Sequence, residues 1–188
     1  MMTNRNILLI RHGEAAASWD KENDPGLSIN GRKQAELLVD EPLLQNLESY
    51  DFISSPKKRA METSIPLKEK FNKEITVNNI FTEIPAKDIP NEQKFNWLKK
   101  TVTANIDSLP KDIHVWRNNI IKNIFDELEG DTVIFTHFMV INTVIGFVNK
   151  SNKIFNTQPS YTSITSINFN THGISIDINK VEKTHINI

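Results

Sequence analysis

The sequence predicts an α/β fold: a three-layer α/β/α sandwich on a mostly parallel central sheet, closed by a C-terminal β-hairpin. Three observations carry this expectation. Residues 7–10 (ILLI) and 132–136 (TVIFT) are apolar runs without polar alternation, the pattern of strands covered on both faces. Helical stretches fall between the strand-like runs, which is how parallel strands are connected. The last segment alternates instead. Residues 163–169 (SITSINF) and 174–178 (ISIDI) flank a turn at 170–173 (NTHG), which reads as a hairpin.

The elements follow in order. After the first strand comes a polar stretch from Gly13 to Pro25, and then Ser28 is placed to cap a helix running through 31–47, bent at Pro42. Residues 52–54 form a second strand. Ser55 and Pro56 then open a helix, with serine as cap and proline at the first helical position. A third strand is expected at 75–80. Pro85, Pro90 and Pro110 bracket a helix near 93–102, and an amphipathic helix at 113–129 is stopped by Gly130. The run at 139–148 is a mostly apolar helix, with a further strand as the alternative.

At 188 residues the chain is long enough for one domain with a full core, so a single domain over 1–188 is expected, with a short substrate-side segment at about 81–117. The formal net charge of -1 provides no general field for nucleic acid, and any anion must be held by a local cluster. There is no cysteine, which excludes disulfides, zinc-thiolate sites and thiol nucleophiles. No apolar run is long enough for a leader or a membrane span, so a cytoplasmic protein without a membrane partner is expected.

In parallel sheets ligands bind at the carboxyl ends of the strands. There the sequence places Arg11, His12, Gly13 and Glu14 after the first strand. Ser54, Ser55 and Arg59 follow the second, Thr82 and Glu83 the third, and Thr136 and His137 the fourth. Two histidines, two arginines and a carboxylate thus gather at one sheet edge. RHGE after an apolar strand resembles the histidine phosphatase superfamily, also called the phosphoglycerate-mutase-like family. LSINGRKQA at 27–35, SSPKKRAMETS at 54–64 and TVIFTH at 132–137 resemble further segments of that family, in the same order. The resemblance covers about three quarters of the chain and points to its small phosphatase branch.

The resemblance implies a role for each residue. His12 is the nucleophile that becomes phosphorylated. Arg11, Arg59 and His137 complete the phosphate pocket, to which Phe138 adds its backbone N–H. Glu83 is the proton donor, with nearby Asp88 as the alternative. Gly13, Glu14 and Ser28 support the nucleophile's loop from behind. The chemistry fits these residue types. Phosphoryl transfer needs positioning and charge stabilisation above all, and guanidinium groups bind phosphate oxygens in pairs without losing charge. An imidazole attacks phosphorus only when neutral, with one nitrogen free and the other held by an acceptor. No cofactor and no metal are expected. The partner is a small phosphorylated molecule or a phosphoprotein, and oligomeric state is left open.

Three departures bear on activity. In the mutase branch RHGE is followed by Ser or Thr and, three residues on, by Asn, whereas here Ala15 and Ser18 stand. The segment between Ile80 and His114 is short for a mutase. Phe138 replaces the glycine common after the second histidine. A phosphatase is therefore preferred over a phosphoglycerate-mutase-type phosphotransferase or a non-catalytic phospho-ligand-binding domain. Lys87, Lys94, Lys99 and Lys100 are read as a solvated face, with a substrate mouth as the alternative. Trp97, Trp116 and Arg117 are candidates for substrate selection. His114, His172 and His185 have no such neighbours and are read as structural.

Overall fold

The computed structural model describes residues 4–18, 21–86 and 88–179. Its six strands are β1 (Arg5–Arg11), β2 (Asp51–Ser54), β3 (Ile75–Val77), β4 (Thr132–Thr136), β5 (Ile164–Asn170) and β6 (Gly173–Asn179). They form one sheet in the order β3-β2-β4-β1-β5-β6. β1, β2, β3 and β4 run parallel, while β5 is antiparallel to both β1 and β6. The C-terminal hairpin thus extends a parallel sheet at one edge. Lys87 and His185 lie outside the described residues.

Why the sheet is buried on both faces follows from the pleat, which sends alternate side chains to opposite sides. Ile7, Leu9, Ile53 and Ile134 enter one apolar core, together with Val140, Ile141, Val144 and Ile145 of α5 (Phe138–Val148). Ile120 of α4 (Lys111–Lys122) joins them. Leu8, Ile10, Phe52, Val133 and Phe135 enter the other core, with Leu67 of α2 (Lys58–Phe71) and with Leu38, Leu44 and Leu47. Each such side chain contributes about 1.5–3 kcal/mol on burial. A third cluster joins Leu98 of α3 (Asn91–Val102) to Ile84, Ile113, Phe138 and Ile154.

Some expected boundaries are corrected. The helix after Ser28 does not run to residue 47: α1 spans Ile29–Glu36, then the chain tightens into 3-10 turns at Leu37–Asp40 and Pro42–Leu44. The residue before a proline avoids the helical region, and Glu41 is extended at φ -67°, ψ 127°. β3 stops at Val77, where the Asn78 side chain accepts from Ile80 N and opens a 3-10 turn that buries Phe81. α2 begins at Lys58, later than Ser55 and Pro56 suggest, with Lys57 extended at φ -67°, ψ 133° as its cap residue and its N–H on Ser55 Oγ at 3.3 Å. α3 and α4 both start at the residue after a proline, two residues earlier than expected. α4 gives way to a π-helical stretch over Asn123–Glu127, short of the expected residue 129. The run at 139–148 is a helix. No helix among the described residues is long and apolar enough to cross a membrane.

Candidate active site

The sheet register builds the site. Arg11 pairs with Thr136 in parallel β1 and β4, and Ser54 pairs with Phe135 in β2 and β4. Three adjacent strands therefore end at one level, and His12, His137 and Ser55 are the residues that follow. The ladder continues into them, since His12 N donates to Thr136 O at 3.0 Å and Ser55 N to Phe135 O at 3.0 Å. The loop after β1 then passes close to the start of α1. A Cβ on Gly13 would lie 2.6 Å from Gly31 O, so glycine is needed for that approach. Ser28 caps α1 through Gly31 N and donates to Glu14 Oε1 at 2.6 Å, which ties the RHGE turn to the helix.

Hydrogen-bond logic fixes both imidazoles. Arg59 Nε lies 3.1 Å from His12 Nε2, and a second Arg59 nitrogen, Nη2, lies 3.2 Å from His137 Nδ1. A guanidinium only donates, so both of those ring nitrogens accept and carry lone pairs. His12 then bears its proton on Nδ1, which donates to Gly13 O at 2.7 Å. His137 bears its proton on Nε2, which donates to Ser55 Oγ at 2.8 Å. The two rings stand 5.1 Å apart. Both are held well below the ordinary imidazole value, first by burial and then by the Arg59 charge; at His12 the Arg11 charge adds to this. Neutral imidazole is thus secured by desolvation more than by the arginines.

Arg11 is braced from the far end of the chain. Its Nη1 donates to Pro159 O at 2.6 Å, and its guanidinium carbon lies 4.3 Å from the Tyr161 ring centre and 5.1 Å from that of Phe138. Its Nε is buried and has no hydrogen-bond partner among the described residues, which leaves a donor available beside His12. Glu83 faces the same cavity as Arg11, His12 and Arg59. Its carboxylate accepts from Ile84 N at 2.9 Å and from Met139 N at 3.2 Å, in the first turn of α5. Burial raises its pKa against the pull of those N–H groups and of Arg59 and Arg11.

The expected cluster of Arg11, His12, Arg59, His137 and Glu83 is therefore assembled. Phe138 contributes a buried ring that faces Arg11 and stacks at 5.9 Å on Phe155. The helix N–H engaged here belongs to Met139. Asp88 is exposed and lies in a second, outer cavity. Lys94 and Trp116 line that outer cavity, while Lys99 and Lys100 are exposed. Trp97 packs in the third apolar cluster and Arg117 is buried on the inner face of α4; neither lines a cavity described here. His114 is half-buried on α4 and His172 is exposed at the hairpin turn.

Sequence reasoning missed several supports. Ser55 was read as a helix cap, whereas its hydroxyl holds His137. Thr63, in the SSPKKRAMETS segment, accepts from Gly13 N at 3.0 Å and donates to Arg59 O at 2.6 Å, linking the loop after β1 to the arginine. Gln34, in LSINGRKQA, accepts from Glu14 N at 2.8 Å. Both lay in recognised segments, so the signal was present. Pro159 and Tyr161 had none.

A family model, the histidine phosphatase superfamily (branch 1), matches residues 7–180. The chain belongs to this superfamily. Among solved structures, this superfamily member is similar to phosphoserine phosphatase of Entamoeba histolytica in complex with 3-phosphoglyceric acid. The two share 23% identity over 95% of this chain and 98% of that one, with a TM-score of 0.70. It is also similar to Bacillus stearothermophilus YhfR (20% identity, 93% and 96% covered, TM-score 0.72). A third is a mycobacterial glucosyl-3-phosphoglycerate phosphatase with VO3 (18% identity, 94% and 98% covered, TM-score 0.66). At these identities the likeness establishes the shared fold. No curated protein matches the sequence.

Proposed function

We propose that this protein is a phosphomonoesterase that transfers a phosphoryl group to His12 Nε2 and then to water, without a metal. The observation that carries the reading is the hydrogen-bond set at His12: Nδ1–H fixed on Gly13 O, and an Nε2 lone pair beside Arg59, Arg11 and His137. A phosphate oxygen at this seat competes with Nε2 for the Arg59 Nε–H. Binding therefore moves the donor to the phosphate and frees the lone pair for attack. Arg11 and Arg59 neutralise the oxygens, as phosphoryl transfer requires. His137, whose Nδ1 faces Arg59, adds positive charge once a dianion offsets the cost of protonating it.

In the first step the ester P–O bond breaks as the Nε2–P bond forms, and protonated Glu83 gives its proton to the leaving oxygen. In the second, ionised Glu83 takes a proton from water as the water oxygen attacks phosphorus, and the N–P bond breaks. His12 returns neutral, Glu83 returns protonated, and phosphate leaves. Ala15, which lines the pocket, offers no side-chain hydrogen bond to hold a product for return of the phosphoryl group. The test is turnover of p-nitrophenyl phosphate in EDTA by wild type and His12→Ala, with an alkaline denaturing quench to trap a phosphoenzyme that is then lost on acid treatment. Activity that needs added divalent metal, or that survives in His12→Ala, would sink the proposal.

A further inference from the structure

Two cavities meet at Arg59 and Glu83, and their walls differ. The inner one holds Arg11 and His12 and has about 40 Å³ of room. A water needs roughly 10–15 Å³, so a phosphoryl group nearly fills it. Apart from the charged residues, its wall is apolar: Ala15, Ala17, Leu98, Val102 and Phe138. The outer cavity is far larger, about 1330 Å³. Sites for drug-sized ligands run to about 300–1000 Å³. Ile80, Pro85, Val115 and Trp116 supply it with an apolar surface, and Trp116 is pinned by its Nε1 donating to Thr82 O at 2.9 Å. Lys57, Lys94 and Lys111 also line it, interspersed with Asp88 and Asp112, so both signs of charge occur on its wall.

A charge carried close to the ester oxygen finds little support here. Glu83 becomes an anion as it gives its proton to that oxygen and then repels a carboxylate beside it, and the inner wall offers carbon where an ionised group needs donors or acceptors. A bulky uncharged body meets the opposite conditions, since the outer cavity gives it area to bury. Building on the phosphatase reading, we propose that the preferred substrate is a phosphomonoester of a bulky, uncharged, apolar or aromatic alcohol. Its body lies over Ile80, Val115 and Trp116, and short phosphorylated acids are poor substrates. The position of Trp116 makes it a specificity-determining residue.

The test uses alkyl phosphates with comparable leaving groups, so that intrinsic reactivity does not decide the ranking: propyl, 2-phenylethyl and 2-(1-naphthyl)ethyl phosphate against phosphoserine and 3-phosphoglycerate. The naphthylethyl ester should exceed phosphoserine in kcat/KM by about 10-fold or more. Trp116→Ala should raise KM for the naphthylethyl ester by about 10-fold and leave propyl phosphate within about 2-fold. Trp116→Phe, which keeps most of the ring, should fall between, and this separates lost contact from lost folding. Equal or better turnover of 3-phosphoglycerate or phosphoserine would overturn the inference while leaving the phosphatase reading intact; loss of that preference in Lys57→Met would place the acid group on Lys57. An equal loss on all esters in Trp116→Ala would also overturn it. Should no ester be hydrolysed, the phosphatase reading fails, and calorimetric affinities for the same five compounds decide the ligand class.

Discussion

At the phosphoryl seat the side chains hold one another. His12 is fixed by Gly13 and Arg59, His137 by Arg59 and Ser55, Arg59's carbonyl by Thr63, and Arg11 by Pro159 and Tyr161. The outer cavity next to it is built otherwise. Asp88, Lys111, Asp112, Val115 and Asn119 project from a loop and one helix face, and all are exposed. The seat grows from β1, β2 and β4, whose register is set by a ladder through the middle of the sheet. The cavity grows from α3, α4 and the turn between β3 and α3. The difference teaches that chemistry, which tolerates little displacement, is seated on the central strands, while selection is left to surfaces that can change without disturbing it.

On the proposed mechanism, the hardest blow to the seat is removal of the nucleophile, His12. His12→Ala should lower kcat/KM by roughly 10,000-fold or more on every ester, because residues that act as a unit lose most of their effect together. The change spares the outer cavity, so KM for a bulky ester should shift far less than kcat. Stopped-flow turnover and phosphoenzyme trapping check both halves.

Glu83 sits where the two regions meet, and Glu83→Gln should cost about 100- to 10,000-fold, more for alkyl than for aryl esters. The pH profile carries the sign. Glu83 is raised and must be protonated for the first step, so activity falls as pH rises through its elevated value. His12 is lowered and must be neutral, so activity persists on the acid side and falls only below the ordinary imidazole value of 6.5. The optimum therefore lies on the acid side, and Glu83→Gln should flatten the alkaline limb alone.

The same comparison explains what could be read from sequence. His12, Arg59 and His137 were legible because each follows a strand or starts a helix, so local pattern places it at the sheet edge; Glu83 comes after the 3-10 turn at Asn79–Phe81 that follows β3. The three-layer order was legible because 7–10 and 132–136 lack alternation and 163–178 has it. Ser55 was misread because a serine before a proline suits a cap as well as it suits a ligand for His137. Pro159 was beyond reading: it reaches Arg11 across 148 positions through a backbone carbonyl, which any residue carries. Tyr161 depends on the same fold-back of the chain. The outer cavity is a product of how α4 leans on the 3-10 turn at Asn79–Phe81, and no local signal encodes that contact.

Tyr161 offers a smaller break within the seat. It stacks on Arg11 at 4.3 Å and its ring centre lies 6.1 Å from that of His12. A cation–π contact of this kind is worth about 0.5–2 kcal/mol. Tyr161→Ala should therefore raise KM for small phosphates about 2- to 30-fold with little change in the pH optimum, while Tyr161→Phe restores most of it. An equal rise in both variants would mean that the hydroxyl, and not the ring, holds Arg11.

The smallest effect should come from Asp88, which sequence alone leaves as a rival to Glu83. Both are carboxylates within the same short segment, and they differ in what surrounds them. Glu83 shares a cavity wall with Arg11, His12 and Arg59 and has its proton affinity raised by burial. Asp88 is exposed and lines the outer cavity but not the inner one that holds His12. A general acid must be within reach of the leaving oxygen, and Asp88 lacks that position. Asp88→Asn should leave kcat/KM for propyl phosphate within about 2-fold and the alkaline limb unmoved. A flattened alkaline limb in Asp88→Asn, with Glu83→Gln unaffected, would reverse the assignment and move proton delivery out of the rigid seat and into the variable cavity.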